Sequence, residues 1–469
     1  MGNALSTSNS AAALSPDYGV KPQRLAWGVM LLAFAIFCVI CVASTIGVNY
    51  FMFQSTLPMS SLLLVGRGTV GITEISDPVE RVERVQRSIS QSTSVGTDSQ
   101  SQATLSFRDT YRDGALVAAI TLKRESELTL RDASRPRFEW STINYRIDLY
   151  NVTGELDIVV AQNLGRNLNM VIRTQQGALI YISESGRYVI NVTDDQVQVV
   201  NREGMALLKL PNQEQGHDIP IGEQAVAHMA GGDVVLTPSY IDLLQNSTFQ
   251  ETFLPEVVGD DAVREIPTAW GCGNAPNTIP RSYFESQMLD GRATLHLFRG
   301  DDATSHGETT CTQPLGTRDQ PLDVSGYAYL ALRATFRIDF QSLNTCGDRG
   351  SECPLMLRLD YMDNEGHLQV WRHGFYARSD AQAEYPIRCD SCAQDHEFIN
   401  EQAWYTYETG NLYTLFPEVR RPVSIVSLIF YASGHQYNVH VSEMSLLAGQ
   451  LAPAPEVPDA MAEATQNPV

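Results

Sequence analysis

The chain has 469 residues, with 54 acidic side chains against 33 Lys and Arg and a formal net charge of −21. Phosphate-backbone binding requires a local excess of Lys and Arg that this composition does not supply, which argues against nucleic acid as a partner. The acidity suits a solvent-exposed protein kept soluble by its own charge.

Residues 1–24 are rich in Ser, Ala and Asn and too few to bury a core, so they read as a disordered leader. Residues 25–50 are apolar and carry no charged side chain. At about 1.5 Å rise per residue, such a run spans a hydrocarbon core of about 30 Å. It continues past the length of a signal-peptide core, which predicts an uncleaved transmembrane helix. Lys21 and Arg24 precede it, and the next charge is Arg67, so the positive-inside bias places the N-terminus in the cytoplasm and the rest outside. The expected location is therefore the cell membrane, single-pass, with the bulk of the chain extracytoplasmic. Trp27 and Tyr50 occupy the positions of interfacial aromatics.

Of eight cysteines, Cys38 and Cys41 fall inside the span and the other six lie between Cys272 and Cys392. An even set in an oxidising compartment predicts three disulfides. Sequence alone allows about fifteen pairings. The sequential one, Cys272 with Cys311, Cys346 with Cys353 and Cys389 with Cys392, is the expectation carried forward.

From 56 to 230, short runs alternate apolar and polar residues between Gly, Asn and Asp, as half-buried strands do. Residues 103–107, 118–122, 128–131 and 197–201 are examples. Val79, Val82 and Val85 recur every third residue, which fits an exposed strand or a short helix. Residues 151–160 echo 191–200, each opening on Asn-Val-Thr, which would suit two similar turn-and-strand units or mere coincidence.

Residues 95–109 (Val95 to Asp109), with 120–130, then 172–174, 186–192, 197–204 and the Ile221-Gly222-Glu223 close, resemble the FecR-type extracytoplasmic domain. The resemblance implies a β-rich, non-catalytic domain on the outer face of a bacterial membrane. Signalling members of that family pass a receptor's state to a sigma factor through a folded cytoplasmic segment, and residues 1–24 leave no room for one.

Residues 231–269 read as a linker, with a short helix expected at 239–245 and an acidic loop around Pro255 and Asp261. Residues 270–449 read as one β-sandwich of jelly-roll type. Its plainest strand is 328–340, with Leu330, Leu332, Ala334, Phe336, Ile338 and Phe340 on one side and Arg333, Thr335 and Arg337 on the other. A hairpin follows, from Leu355 to Tyr361, through a turn at 363–366, to Leu368 and Val370. The arrangement resembles galactose-binding-like and carbohydrate-binding modules. Residues 450–469 form a Pro/Ala-rich disordered tail. The fold class is thus mainly β, with one N-terminal transmembrane helix, a FecR-like part and a C-terminal sandwich.

No nucleophile elbow, phosphate loop, dinucleotide fingerprint or zinc-protease helix occurs in the required setting, so binding is expected rather than catalysis, with no cofactor. Cys389, Cys392 and His396 have the spacing of three metal ligands; a disulfide across a tight turn is preferred, because the compartment is oxidising and no fourth ligand is evident. Asp360, Asp363 and Glu365 would suit calcium, but a hairpin turn needs the same residue types, and no metal is expected. Trp371, His373, Tyr376, Trp404, Tyr405 and Tyr407 gather ring faces and polar tips in two segments, which would stack on sugars; packing of Trp371 and Trp404 in the core is the competing reading. The leading expectation is a non-enzymatic, membrane-anchored bacterial surface protein whose sandwich binds a glycan or an envelope protein. The alternatives are a transmembrane regulator acting with a separate cytoplasmic partner and, last, an envelope polysaccharide hydrolase.

Overall fold

An unbroken apolar run has no internal reason to stop being helical, and in the computed structural model it forms helix α1, Pro22–Asn49, continued by a π-helical turn over Tyr50–Gln54. The structure describes residues 22–75, 77–254, 264–300, 302–380 and 385–450. The leader with Lys21, the side chain of Arg24, the acidic loop around Asp261 and the 451–469 tail lie outside the described residues. The span Leu25–Gln54 is 30 residues long with a mean hydropathy of 2.8, and its most apolar stretch has no buried residue, so it is long and apolar enough to cross a membrane. Residues 136–143 belong to the same compact unit. Phe138 meets Phe51 edge-on at 5.5 Å and stacks on Trp140 at 4.7 Å, while the Ser141 hydroxyl donates to the Phe53 carbonyl at 2.6 Å. This aromatic collar at the foot of the helix was not foreseen, because Phe138 and Trp140 stand far from the span in sequence.

The second compact unit is almost entirely β, and strands make up 52% of the described residues. Its first part is a ladder that closes on itself through the long strand Tyr145–Val160. The first half of that strand pairs with Leu168–Thr174 and Glu127–Pro136, and the second half with Gly186–Val192 and Ala115–Leu122. Alternation buries one face of each strand: Leu63, Ile72, Leu105, Ile120, Ile158, Ile172, Ile190 and Val199 are all in the core. Each such side chain contributes roughly 1.5–3 kcal/mol by leaving water. Val79 and Val82 lie in a strand, Asp77–Glu83, and not in a helix. The echo between 151–160 and 191–200 is not a repeat. Asn151 sits inside the long strand where the register shifts, with φ of 51°, and only the second copy passes through a turn before its strand, Gln196–Glu203.

The second part is a β-sandwich. One sheet runs, in order, Tyr283–Leu289, Arg292–Arg299, Tyr437–Gly449, Tyr329–Gln341 and Tyr405–Glu408. The other runs Gly271–Asn274, Gly307–Pro314, Pro422–Gly434, Leu355–Asp363, Leu368–Tyr376 and Glu397–Phe398. The predicted hairpin is present, and Asp363 builds its turn by accepting from the Glu365 and His367 amides at 3.0 and 2.8 Å. Asp360 is taken by Arg358 at 2.7 and 2.8 Å, so these acids serve the turn and a surface ion pair.

Two expectations need correction here. Residues 239–245 form no helix: Ile241–Asp242 is a short strand paired with Leu447 and Ala448, and Leu244 and Phe249 enter the sandwich core. Phe340 does not continue the buried row of its strand, because a register shift after Ile338 turns it outward to 41% exposure.

All three disulfides join the expected partners, Cys272 with Cys311, Cys346 with Cys353 and Cys389 with Cys392. Cys272 and Cys311 stand directly opposite on paired strands.

Candidate functional site

The six aromatic and imidazole side chains singled out by sequence are all between 2 and 8% exposed. A sugar-stacking platform needs an open ring face, and none of the six presents one. Trp371, His373 and Tyr407 form a stacked column inside the sandwich, with centroids 5.9 and 4.8 Å apart. The Trp371 indole N–H has no hydrogen-bond partner, and His373 Nε2 lies 3.5 Å from Glu397 Oε1 without the alignment of a hydrogen bond. Tyr405 donates to Glu397 at 2.7 Å, and burial, followed by the charge of Glu397, raises both tyrosine phenols, Tyr405 and Tyr407, well above the usual range. Tyr376 packs in the small cluster formed by the Cys346–Cys353 and Cys389–Cys392 disulfides.

Trp404 is committed elsewhere. Its indole N–H donates to Asp290 Oδ2 at 3.0 Å, and Asp290 also receives Arg108 from the first β part at 2.5 Å and Arg337 at 3.0 Å. It therefore belongs to the seam between the two β parts. Arg333 is the centre of that seam: 5% exposed, it reaches Asp157 at 2.5 Å, Glu443 at 3.2 Å and Glu408 at 3.3 Å. Lys123 adds to Asp157 at 3.5 Å, and Arg202 to Glu443 at 3.1 Å. Burial alone would lower the Arg333 pKa, but the three carboxylates outweigh it and hold the guanidinium firmly charged. Burial would likewise raise Glu443, yet Arg333, Arg187 and Arg202 keep its carboxyl far below the usual range. Amide side chains complete the seam. Gln102 donates to the Thr406 carbonyl at 2.9 Å and accepts from the Thr406 amide at 2.7 Å, while Asn400 donates to the Val65 and Arg84 carbonyls at 2.8 Å.

Cys389, Cys392 and His396 are brought together, as are Cys346, Cys353 and His396. The sulfurs are paired as disulfides, so neither set offers a thiolate. Both nitrogens of His396 are used: Nδ1 accepts from the Gly374 amide at 2.9 Å and Nε2 donates to the Gly350 carbonyl at 2.8 Å.

The sheet carrying Trp371 turns a half-buried polar strip outward on its other face, beside the disulfide cluster that buries Met356 and packs on Tyr431. Strand register places Thr310, Tyr431 and Met356 in one cross-strand row, and Thr312, Ile429, Arg358 and Arg372 in the next. Thr310, Thr312, Arg358, Arg372, Ile429 and Tyr431 are half-buried. Arg372 donates to Ser391 Oγ at 3.2 Å, and Arg358 is held by Asp360. Two fixed guanidinium groups, hydroxyls and a tyrosine ring on a stiff sheet can hydrogen-bond and pack against a polyhydroxylated ligand. Sequence reasoning chose the inward phase of Leu368–Tyr376, where the tryptophan lies. The available signal was hairpin pairing: once Leu357 and Leu359 face inward, Arg358 and its partner Arg372 must face out.

No protein-family model and no curated protein matches the chain. Among solved structures, the chain is similar to a protein described as an anti-sigma factor from Parabacteroides distasonis, at 16% identity and a TM-score of 0.22, over 31% of this chain and 59% of that one. It is also similar to the CBM22-1 xylan-binding domain of Paenibacillus barcinonensis Xyn10C, at 11% identity and a TM-score of 0.25, over 46% and 98% of the two chains. A third is a family 11 carbohydrate-binding module from Clostridium thermocellum, with 10% identity and a TM-score of 0.21, over 39% and 91%. Likenesses of this size bear on neither ligand nor partner.

Proposed function

We propose that this is a non-enzymatic, single-pass protein of a bacterial envelope, with its N-terminus in the cytoplasm and an ectodomain in which a FecR-like part carries a glycan-binding sandwich. The observation that carries the reading is the outward sheet face, where Tyr431, Arg358 and Arg372 are held half-buried in adjacent cross-strand rows. Half-buried polar groups that are already oriented lose little freedom on binding, which favours recognition of a ligand rich in hydroxyls. The membrane assignment rests on the 30-residue apolar span, and the extracytoplasmic one on three disulfides in the sandwich. The acids buried in the seam are tied to arginines, which suits a structural duty and not proton transfer.

The test is a glycan array probed with the full chain in detergent micelles, beside Tyr431→Ala and Arg372→Gln. Binding that both variants lose, while Trp371→Phe retains it, supports the outward face. Absence of binding to any glycan, or binding indifferent to both substitutions, removes this reading.

A further inference from the structure

Every other arginine at the centre of the seam has a carboxylate in ion-pair contact, but Arg292 does not, and Glu443, Asp290 and Asp157 act on it only from farther off. It is only 7% exposed, its Nε has no hydrogen-bond partner, and no described acid lies within ion-pair reach. Its guanidinium instead lies 5.0 Å over the Trp404 ring. Burial, and then the like charge of Arg187, push its pKa down to about 10. Burial pushes Arg187 down as well, its closest acid being Glu443 at 3.6 Å. That carboxylate is already shared with Arg202 and Arg333. A buried cation whose counter-charges stand off without a direct contact is costly, by up to several kcal/mol.

Both arginines line one crevice of about 260 Å³ between the β parts, together with Gln162, Glu203 and Met288. Glu203 is the acid on its wall, and its carboxylate accepts from the Gln162 amide at 2.8 Å. A recess of about 20 Å³ shares Arg187 and Arg292 with the crevice and is lined also by Arg202, Arg333, Asp157 and Glu443. A guanidinium held over an indole keeps N–H groups for an acceptor, and its fork suits a carboxylate or phosphate.

We propose that this crevice binds a small oxyanion group, a carboxylate or a phosphate, through Arg292 with Arg187 beside it. The site is separate from the outward sheet face and does not depend on the glycan reading. The group has two possible sources, an acidic sugar or a phosphate, which the titration distinguishes.

The experiment is isothermal titration of the full chain in detergent micelles with inorganic phosphate, with glucuronate and, as a neutral control, with glucose. One site for an anion and none for glucose is the expected result. Tighter binding of glucuronate assigns the source to acidic sugars, and tighter binding of phosphate to phosphorylated ligands. Arg292→Gln should weaken the anion by at least about tenfold, since the charged hydrogen bonds go with the guanidinium. Met288→Glu, at a rim position 67% exposed, places a competing carboxylate in the crevice without touching the core and should weaken binding several-fold. Should Arg292→Gln lose its native circular dichroism, Met288→Glu decides alone. Tyr431→Ala should leave the anion affinity unchanged. The proposal is overturned if neither anion binds the wild-type chain, or if the folded variants bind as the wild type does.

Discussion

Replacing Arg333 with alanine removes the one cation shared by two buried carboxylates, Asp157 and Glu443, and the half-buried Glu408. Taking one partner from a buried pair typically costs about 3–5 kcal/mol, because the remaining charge is left desolvated. Asp157 would keep Lys123 at 3.5 Å, and Glu443 would keep Arg202 at 3.1 Å, so the loss should fall at the low end, about 3 kcal/mol. Urea unfolding of the full chain in micelles, followed by tryptophan fluorescence, measures it. Combining Arg333→Ala with Asp157→Asn should recover part of the loss, with a coupling of about 1–3 kcal/mol. The sign with pH is also fixed. Asp157 and Glu443 are depressed in the folded state, so their pairing stabilises above the unfolded carboxylate range and is lost as pH falls toward their folded values. The gap between wild type and Arg333→Ala should therefore narrow below about pH 4. A gap under about 1 kcal/mol at neutral pH would refute the view that this cluster fastens the two β parts together.

Two further outcomes follow from the sandwich. Substituting Cys272 and Cys311 by serine opens a loop with a sequence separation of 39, against 3 for Cys389 and Cys392. Chain entropy then predicts losses of about 4 and about 2 kcal/mol respectively, and urea midpoints that reverse this order would contradict the entropic account. His396 is held below its ordinary value of 6.5, chiefly by burial, with both nitrogens bonded in the neutral form. Its folded pKa being the lower one, the stability it provides is complete above about pH 6.5 and is lost as pH falls below that point. His396→Gln should flatten the urea midpoint between pH 7 and pH 5, and an unchanged slope would exclude this histidine as the cause.

What could be read in advance follows from how local each signal was. The apolar N-terminal run, the hairpin around Asp363 and the short-range cysteine pairs are written in contiguous residues, and they appear as a long helix, a hairpin and disulfides. Arg333 could not be read that way. Alternation places it opposite the buried row of its strand, which normally means solvent, yet this strand is covered on both faces because the first β part packs against it. The two tryptophans show the same limit. Trp371 fills the sandwich and Trp404 the seam, and only the tertiary arrangement separates those fates. The outward face was missed for a different reason: Arg358 and Arg372 look like ordinary surface charges until strand register places them beside one another.

The glutamine that grips Thr406 has a consequence for how this protein behaves in a crowd. Tyr405–Glu408 is the last strand of its sheet, and a bare last strand invites a neighbouring molecule to add one of its own. Gln102 occupies both the donor and the acceptor of Thr406, so its side-chain amide acts as a single counterfeit peptide unit laid along that border. With the position filled from within the chain, the sheet has a stopper against growing into another copy. Under the membrane tethering proposed above, local density is high, and such a stopper matters more there than in dilute solution.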